Sequence, residues 1–598
     1  MPVDSTRRIS GVLMAGPFAE GLLTDAFLAS VMGRVAACTE DELLARAREV
    51  LIRTQRERPD RQRAGVAATD SLLGEARRRG RPDLLGWVLR YSAVIRLVTQ
   101  TPLVEADPLI DELTRLAGRY GMTVLQADGH ALRARRSVLA GVDEGALSDA
   151  ATALALVSDP EPPRDQISPQ WEHALAATLT DLGLVLISLG AHELADESLT
   201  RAERHLRSSA GPVELLVNGL NRLRLQLSWG LRLERVGRSD EGAERFLTAR
   251  QLGRIVEPLW MRTVFNSGDR PAADQCAVLA AAFALADPGA AHVDRLRGLS
   301  RAPIVTSERV MIGIALGRCL ERCGRTAAAR MALATTRAEL AGGPDRSESM
   351  LLLALSRELA RVQEALTPTG TPTGPATRPI RDYAAALEAE MWSLREARIA
   401  AMCSQAEHLR LAREHGTITA QALSDPLTGL PNRRALDQQL RQSLSSATGR
   451  PCSVALIDLD GFKDVNDRYS HATGDEVLRA VATALRSALR ADDTVARYGG
   501  DEFVALLPGT APGAAQGALE RAVQAVAGLT PNAGAGVTLS VGVVAVGARD
   551  DAGSVLARAD SAMYRAKRLG GNQVCVEQVC VEQDECPDGD HVPAQPDP

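Results

Sequence analysis

The chain has 598 residues, which is too long to fold around a single hydrophobic core, so several domains are expected. Its net charge of −6 lacks the basic footprint of a nucleic-acid-binding protein, and its longest apolar run, residues 276–286, is too short to span a bilayer. The nine cysteines are scattered, which argues against a secreted disulfide scaffold. We therefore expect a cytoplasmic multidomain protein with no nucleic-acid partner and no membrane partner.

Residues 1–366 predict an all-α domain, because Leu, Ala and Arg recur at helical spacing with almost no alternation of β-branched residues. Part of this region repeats a pattern: a large apolar residue beside a glycine, a second glycine seven residues later, and an alanine five or six residues beyond. The three copies are Leu182-Gly183 with Gly190 and Ala195, Trp229-Gly230 with Gly237 and Ala243, and Leu316-Gly317 with Gly324 and Ala329.

A small residue lets one helix approach its neighbour, and a glycine can end a helix before the next begins. The pattern resembles tetratricopeptide-type helix pairs stacked as a solenoid, which implies a sensory or interaction domain with a protein as candidate partner. The spacings of 47 and 87 residues between copies exceed the standard repeat, so a generic helical bundle is the alternative.

Residues 367–379 are rich in Thr, Pro and Gly and predict a linker. A long helix is expected over residues 380–424, with apolar residues along one stripe that suits a coiled-coil stalk. The stripe consists of Ala384, Leu387, Met391 and Leu394. Arg398 and Gln405 weaken this seam and residues 415–417 could break the helix, so a monomeric surface helix is the alternative.

Residues 425–577 change in character and predict an α/β domain, a sheet that carries helices. Strands are expected over 453–457, 503–507 and 537–544, and helices over 474–490 and 513–527. Residues 578–598 are acidic and rich in Pro and Asp, so we expect a disordered tail.

Two glycines followed by two acids and a phenylalanine, residues 499–503, lie between apolar runs and predict a tight hairpin turn that presents carboxylates. Asp458 follows another apolar strand, where a sheet edge meets a ligand crevice. Asp458 and Asp501 could share a divalent cation, since Mg²⁺ takes one or two carboxylates together with substrate phosphates.

The residues after Asp458 add chemistry that suits a nucleotide. The loop over residues 461–463 offers backbone N–H groups and the Lys463 ammonium to a triphosphate. Asn466 and Asp475 can supply the paired amide and carboxylate that read a guanine edge.

With these residues in place, residues 425–573 resemble a GGDEF domain, the catalytic domain of diguanylate cyclases. The resemblance covers about a quarter of the chain and consists of six motifs in order. They are residues 425–433 (DPLTGLPNR), 458–467 (DLDGFKDVND), 474–478 (GDEVL), 499–503 (GGDEF), 540–543 (SVGV) and 559–567 (ADSAMYRAK).

The resemblance implies that a homodimer condenses two GTP molecules into cyclic di-GMP, with release of two pyrophosphates. It implies two Mg²⁺ ions per active site, with Mn²⁺ as a substitute, held by Asp458, the carbonyl of Leu459 and Asp501. Proton abstraction from the 3′-hydroxyl falls on Asp501, with Glu502 as a second catalytic acid. The implied substrate-binding residues are Phe462, Lys463, Asn466, His471, Asp475, Gly499, Gly500 and Lys567.

Two further features bear on regulation and activity. Arg490 and Asp493 match the family's inhibitory Arg-x-x-Asp site, which binds the cyclic di-GMP product. Gly571 stands where the family often has a phosphate-binding arginine. The alternative is therefore a catalytically weak GGDEF protein that acts as a receptor for GTP or cyclic di-GMP, or as a scaffold. The signal sensed by residues 1–366 and the sign of regulation stay open.

Overall fold

A computed structural model divides the chain into two units, Met1–Leu411 and Ala412–Pro598, called below the helical unit and the catalytic unit. The expected tail and most of the expected linker lie outside the described residues. The described residues are 23–33, 35–56, 61–99, 101–158, 169–265, 276–302, 306–340, 349–366, 377–446, 451–529, 536–547 and 550–577.

The first unit is all helical in its described part, as the composition predicts. Three short 3₁₀ turns, Val35–Ala37, Leu103–Glu105 and Ala290–His292, accompany the α-helices. The helices are α1 Asp25–Met32, α2 Glu40–Arg56, α3 Gln62–Arg79, α4 Pro82–Val98, α5 Asp107–Arg119, α6 Thr123–Ala140, α7 Asp143–Val157, α8 Pro169–Ser188, α9 His192–Ser209, α10 Pro212–Arg235, α11 Ser239–Phe265, α12 Ala277–Ala286, α13 Val293–Ser300, α14 Thr306–Arg322, α15 Thr326–Glu339, α16 Ser349–Ala365 and α17 Thr377–Leu423. Among the described helices, none is both long enough and apolar enough to cross a bilayer.

The first glycine of each repeated pair lies where two helices touch. A methyl group added to Gly183 would meet Leu199 of α9 at 2.8 Å, and one added to Gly230 would meet Phe246 of α11 at 2.6 Å. A methyl group added to Gly317 would likewise lie 2.9 Å from a side-chain carbon of Leu333 in α15. These glycines permit helix contacts that any larger residue would obstruct.

The second glycine of each pair ends its helix. Gly190, Gly237 and Gly324 have φ values of 78°, 84° and 72°, the left-handed conformation that terminates helices. The alanines of the three copies differ in burial: Ala195 and Ala329 are fully buried, whereas Ala243 is exposed. The neighbouring Gly242 takes the buried position in that copy, because this helix pair packs close enough to exclude even a methyl group.

Helix α17 is continuous through residues 415–417, where the sequence left a break open. One face of α17 packs on the helical unit through Trp392, Arg395 and Met402, all buried. The predicted apolar stripe is largely uncovered: Leu387, Met391 and Leu394 are 47%, 41% and 57% exposed, and Met391 and Leu394 border a cavity of the helical unit. Within the described part of this chain the stripe is therefore only partly covered.

The catalytic unit has a sheet of order β2-β3-β1-β4-β5, antiparallel except for the parallel pair β4–β5. The expected strands and both expected helices are present with shifts of a few residues at their ends. The elements are α18 Arg433–Ser446, β1 Cys452–Asp460, α19 Phe462–Arg468, α20 His471–Ala488, β2 Thr494–Gly499, β3 Glu502–Pro508, α21 Pro512–Ala527, β4 Thr538–Ala545, α22 Ala552–Arg568 and β5 Gln573–Val576.

Helices cover both faces of this sheet. Alternate residues of β1 and β3, including Ile457 and Phe503, pack with α20 and α21, while Val454 and Val504 pack with α18 and α22. Because side chains alternate along a strand, Asp458 falls on the α22 face and Leu459 on the α20 face. This alternation decides which polar groups reach the site at the end of β1.

Candidate active site

The two glycines and two acids form the expected tight turn. Strand β2 ends at Gly499 and β3 begins at Glu502, so Gly500 and Asp501 are the two loop residues. Gly500 has a φ of 52°, which primed hairpin turns require at their first loop position. The pairing register also shifts between Arg497 and Gly499. Asp501 therefore sits at the tip and Glu502 at the first position of a strand.

Asp458 and Glu502 are directly opposite each other in the β1–β3 ladder. Opposite residues of antiparallel strands point to the same face, with Cα atoms about 5 Å apart. Burial raises the pKa of Asp458, and burial together with the charges of Asp458 and Asp501 raises the pKa of Glu502. Three acids thus meet at one edge of the sheet.

Lys567 supplies the positive charge at this edge. Its Nζ lies 2.6 Å from Oδ1 of Asp458. Burial opposes protonation of Lys567, but the bond to Asp458 and the negative charges of Asp458, Asp460 and Asp501 together outweigh it, so the pKa of Lys567 is raised. Gly542 of β4 allows this contact, because a methyl group there would lie 2.2 Å from the backbone of α22 at Ala559 and Met563.

The residues present fit a magnesium site of low protein-ligand number. No group of three or more His, Cys, Asp or Glu side chains is arranged to hold a metal in the described part of the chain. Asp458 and Asp501 nevertheless influence each other electrostatically. Leu459 has a hydrocarbon side chain, so only its backbone carbonyl could contribute an oxygen ligand. Mg²⁺ needs few protein ligands when substrate phosphates complete its shell.

Five of the eight residues expected to bind nucleotide lie on α19 and α20, which follow β1 directly. The expectation of a loop at residues 461–463 is wrong, because Gly461, with φ of 75°, starts a helix whose first residues are Phe462 and Lys463. Gly461 can adopt this left-handed conformation at little cost, so the chain turns straight from strand to helix.

Asn466 packs tightly against α20. A methyl group on Gly474 would lie 2.1 Å from the side-chain oxygen of Asn466, so the glycine lets that amide come close to the backbone of α20. Gly474 directly precedes Asp475. His471 is the exposed first residue of α20, and Lys463 is also exposed. The fold thus brings Asn466 beside Asp475.

Sequence reasoning assigned no role to a clamp that holds the turn. Arg497 donates to both carboxylate oxygens of Asp425 at 3.2 and 3.1 Å, and to the carbonyl of Gly500 at 3.0 and 2.8 Å. The backbone and hydroxyl of Thr428 also donate to Asp425. Although partial burial opposes it, these bonds lower the pKa of Asp425. A signal was available, since Asp425 opens the first motif and Arg497 stands two residues before the 499–503 motif.

Asp460 is a second residue whose role sequence reasoning missed. It accepts hydrogen bonds from Thr538, from Ser540 and from the backbone N–H of Asn572, at 2.8, 2.7 and 3.0 Å. Gly571 has a φ of 73°, and a methyl group on it would lie 3.0 Å from the Asp460 carboxylate. The loop that contains Gly571 is therefore fixed to β1 in a conformation that favours glycine.

Arg490 and Asp493 border a cavity of about 450 Å³. It lies at the opposite edge of the sheet, beside Pro451 and Leu507, and Arg521 of α21 also lines it. The Asp493 carboxylate accepts from the backbone N–H of Arg490 at 2.9 Å. Sequence reasoning missed Arg521, because it lies 31 residues after Arg490 and only the packing of α20 on α21 makes them neighbours.

The domain family described as diguanylate cyclase, GGDEF domain, matches residues 422–573. These residues are a GGDEF domain. The GGDEF domain accounts for about a quarter of the chain, and the helical residues before it lie outside the match.

Curated relatives agree over this segment. Diguanylate cyclase DgcP of Pseudomonas aeruginosa is 42% identical over 159 residues, which cover 26% of this chain and 24% of that protein. Response regulator PleD of Caulobacter vibrioides is 44% identical over 161 residues, covering 26% of this chain and 36% of that protein. The matches thus span well under half of either relative.

Among solved structures, the coiled coil and GGDEF domain of DgcB from Caulobacter crescentus, in complex with c-di-GMP, is 33% identical. That match covers 30% of this chain and 98% of the other, with a TM-score of 0.29.

Proposed function

We propose that this protein is a diguanylate cyclase, which condenses two GTP molecules into cyclic di-GMP and releases two pyrophosphates. The observation that carries the proposal is the meeting of Asp458, Glu502 and Lys567 at one sheet edge, beside the turn that bears Asp501. The GGDEF domain is 42% identical in sequence to the matching segment of a curated diguanylate cyclase, which supports the same reaction.

The chain supplies groups for each part of a phosphoryl transfer. Asp458, Asp501 and the carbonyl of Leu459 would hold Mg²⁺, which neutralises phosphate charge when bound. We infer that Lys463 of α19 and Lys567 of α22 bind phosphate oxygens. We infer that the remaining phosphate and guanine contacts come from the Phe462 backbone, Gly499, Gly500, Asn466, His471 and Asp475.

The chemical step joins O3′ of one GTP to the α-phosphorus of the other. The bond from that phosphorus to the pyrophosphate leaving group breaks, and the 3′-hydroxyl proton passes to a carboxylate. We assign this proton to Asp501 or Glu502, and the raised pKa of Glu502 favours proton acceptance. In-line positioning supplies much of the acceleration in such transfers.

We infer that the active species is a homodimer, because one site per chain must make a product with two-fold symmetry. The exposed stripe of Leu387, Met391 and Leu394 supports pairing of two α17 helices as a coiled coil. The close-packed glycine pairs support a tetratricopeptide-like solenoid in the helical unit, with a protein partner as its candidate ligand.

We propose that cyclic di-GMP inhibits the enzyme by binding at Arg490, Asp493 and Arg521. Strand β3 separates this cavity from the acidic edge, and its six steps from Glu502 to Pro508 span roughly 20 Å. Inhibition at that distance acts on the arrangement of the domains and does not block the GTP pocket.

One observation favours the second candidate function, a catalytically weak receptor for GTP or cyclic di-GMP. Gly571 stands where the family often has a phosphate-binding arginine, and its φ of 73° disfavours any side chain at this position. Receptor function requires binding with little or no turnover.

The deciding experiment incubates the purified full-length protein with GTP and Mg²⁺, after removal of bound nucleotide, and measures cyclic di-GMP and pyrophosphate. We expect both products from the wild type and none from Asp501→Ala. A nucleotide-free wild type that binds GTP but releases no pyrophosphate would reject the cyclase and support the receptor.

A further inference from the structure

The helical unit contains a cavity of about 440 Å³. Helices α8, α10 and α14 line it on one side, and α17 lines it on the other. Ten of its 21 lining residues are Leu, Ile or Met. A cavity of this volume with apolar walls and a few convergent polar groups is typical of small-molecule sites.

Four arginines line the cavity, and three have bonded partners that offset their charge. Arg224 donates to the buried carboxylate of Glu308 at 2.6 Å. Arg395 donates to Glu193 at 2.9 Å, and Arg398 donates to Asp143 at 3.3 Å.

Arg232 differs from the other three. Among the described contacts, no carboxylate or carbonyl oxygen accepts a hydrogen bond from its guanidinium, which lies 5.5 Å from the Trp392 ring centroid and against Gly190. Burial lowers the pKa of Arg232 to about 10, and the charges of Arg395 and Arg235 add to the effect.

The acids nearest Arg232 are already engaged. The negative charges of Glu388 and Glu193 raise the pKa of Arg232 and so partly offset the effect of burial. Glu388, however, is bonded to Arg235, and Glu193 is bonded to Arg395. His192, which also lines the cavity, is buried against Trp229, and burial keeps its pKa well below the usual range. One half-buried positive charge thus lacks a bonded counterion beside a largely apolar cavity.

We propose that this cavity binds a small amphipathic monocarboxylate, whose head group pairs with Arg232 and whose apolar body lies along the leucine and methionine walls. A single unbonded guanidinium matches one negative charge, and its planar fork matches a carboxylate. A neutral amphiphile would leave Arg232 without a partner, and a cation would add to the positive charge.

The site has a consequence for regulation that rests on the proposed cyclase function. Arg395 and Ile399 of α17 line the cavity, so an occupant contacts both α10 and the helix that runs continuously to Leu423. Met391 and Leu394 belong to the cavity and to the exposed stripe proposed for pairing. An occupant would therefore favour one position of α17.

The test is a titration of the full-length protein with sodium decanoate below its critical micelle concentration. Isothermal calorimetry and tryptophan fluorescence measure the binding. All five tryptophans precede the GGDEF domain and Trp392 lies beside Arg232, so the fluorescence reports the helical unit. We expect saturable binding at one site, and at least tenfold weaker binding in Arg232→Gln.

The matched control is Arg238→Gln. Arg238 also lies over Trp392, at 5.4 Å, but it bonds Glu241 and does not line the cavity, so its loss should leave decanoate binding unchanged. Decanol and decyltrimethylammonium should bind at least tenfold more weakly than decanoate. Equal binding of decanol, equal binding by Arg232→Gln, or no binding by the wild type would overturn the proposal.

Binding is measured without GTP, so its outcome does not depend on catalysis. Decanoate binding by a protein that makes no cyclic di-GMP would uphold the carboxylate site and reject the cyclase. Cyclase activity without decanoate binding would give the reverse result.

Discussion

Arg497 and Asp425 form a two-point ion pair across 72 positions of sequence, with contacts of 3.2 and 3.1 Å. Both side chains are mostly buried, 15% and 17% exposed, and the same guanidinium holds the Gly500 carbonyl. The pair thus connects the segment that follows α17 to the turn that carries Asp501. It joins the first motif to the 499–503 motif, which lies far away in sequence.

We expect Arg497→Met to loosen this turn. Loss of the charge-assisted bonds should destabilise the catalytic unit by about 2 kcal/mol and lower cyclase activity at least tenfold. Hydrogen exchange of the β2–β3 peptides measures the loosening. Arg479→Met, an exposed substitution on α20, is the control and should change neither quantity. Normal exchange and full activity in Arg497→Met would show that the clamp is dispensable.

The same pair predicts a pH dependence. The pKa of Asp425 is lowered in the folded protein from its ordinary value of 3.8, so the folded state favours the ionised carboxylate. The stabilisation is complete above the unfolded pKa and is lost as the pH falls through the folded pKa. The difference in melting temperature between wild type and Arg497→Met should be constant from pH 7 to about pH 5 and shrink below pH 4. A difference that grows on acidification would contradict this assignment.

Lys567→Met should reduce kcat/KM for GTP by about tenfold to a hundredfold, because the site loses a cation for the phosphates. Lys567 also bonds Asp458 through its Nζ, so its loss frees that carboxylate for Mg²⁺. We therefore expect the variant to need a lower Mg²⁺ concentration for half-maximal rate. Steady-state kinetics over a Mg²⁺ series separates the two effects. Unchanged GTP kinetics would remove Lys567 from the substrate site.

Arg490→Ala and Arg521→Ala should each relieve product inhibition while leaving the initial rate unchanged, since their cavity lies at the edge of the sheet far from Asp501. We expect the cyclic di-GMP concentration for half inhibition to rise at least tenfold in either variant. Arg486→Ala, an exposed change on α20, the helix that ends just before the inhibitory motif, should be inhibited normally. If Arg521→Ala retains wild-type inhibition, the product site does not include α21.

Gly571→Arg restores the residue type that the family often has, yet we expect it to harm this protein. A side chain at a φ of 73° costs about 1–2 kcal/mol, and its Cβ would lie 3.0 Å from the Asp460 carboxylate. The melting temperature should fall and the KM for GTP should not improve. A variant with a lower KM and unchanged stability would show that the arginine position is usable.

Much of the catalytic unit was predictable because its signals are local. Apolar runs mark the strands, and paired glycines before two acids can form little other than a tight turn. The ordered motifs added the GGDEF resemblance, which the domain match confirms. The repeated glycines likewise predicted both close helix contacts and helix ends, because each depends on the backbone of one residue and its nearest neighbours.

Other features depend on which elements become neighbours, and local signals do not carry that information. The exposure of Ala243, and the helix that stands where a loop was expected at 461–463, both depend on the register of one helix turn. The Arg497–Asp425 clamp and the place of Arg521 arise only when distant segments pack together. The sequence by itself determined the domain type and its acidic turn. Only the tertiary structure decided which charges are paired. Among the described contacts Arg232 has no bonded counterion, because its neighbouring acids bond other arginines.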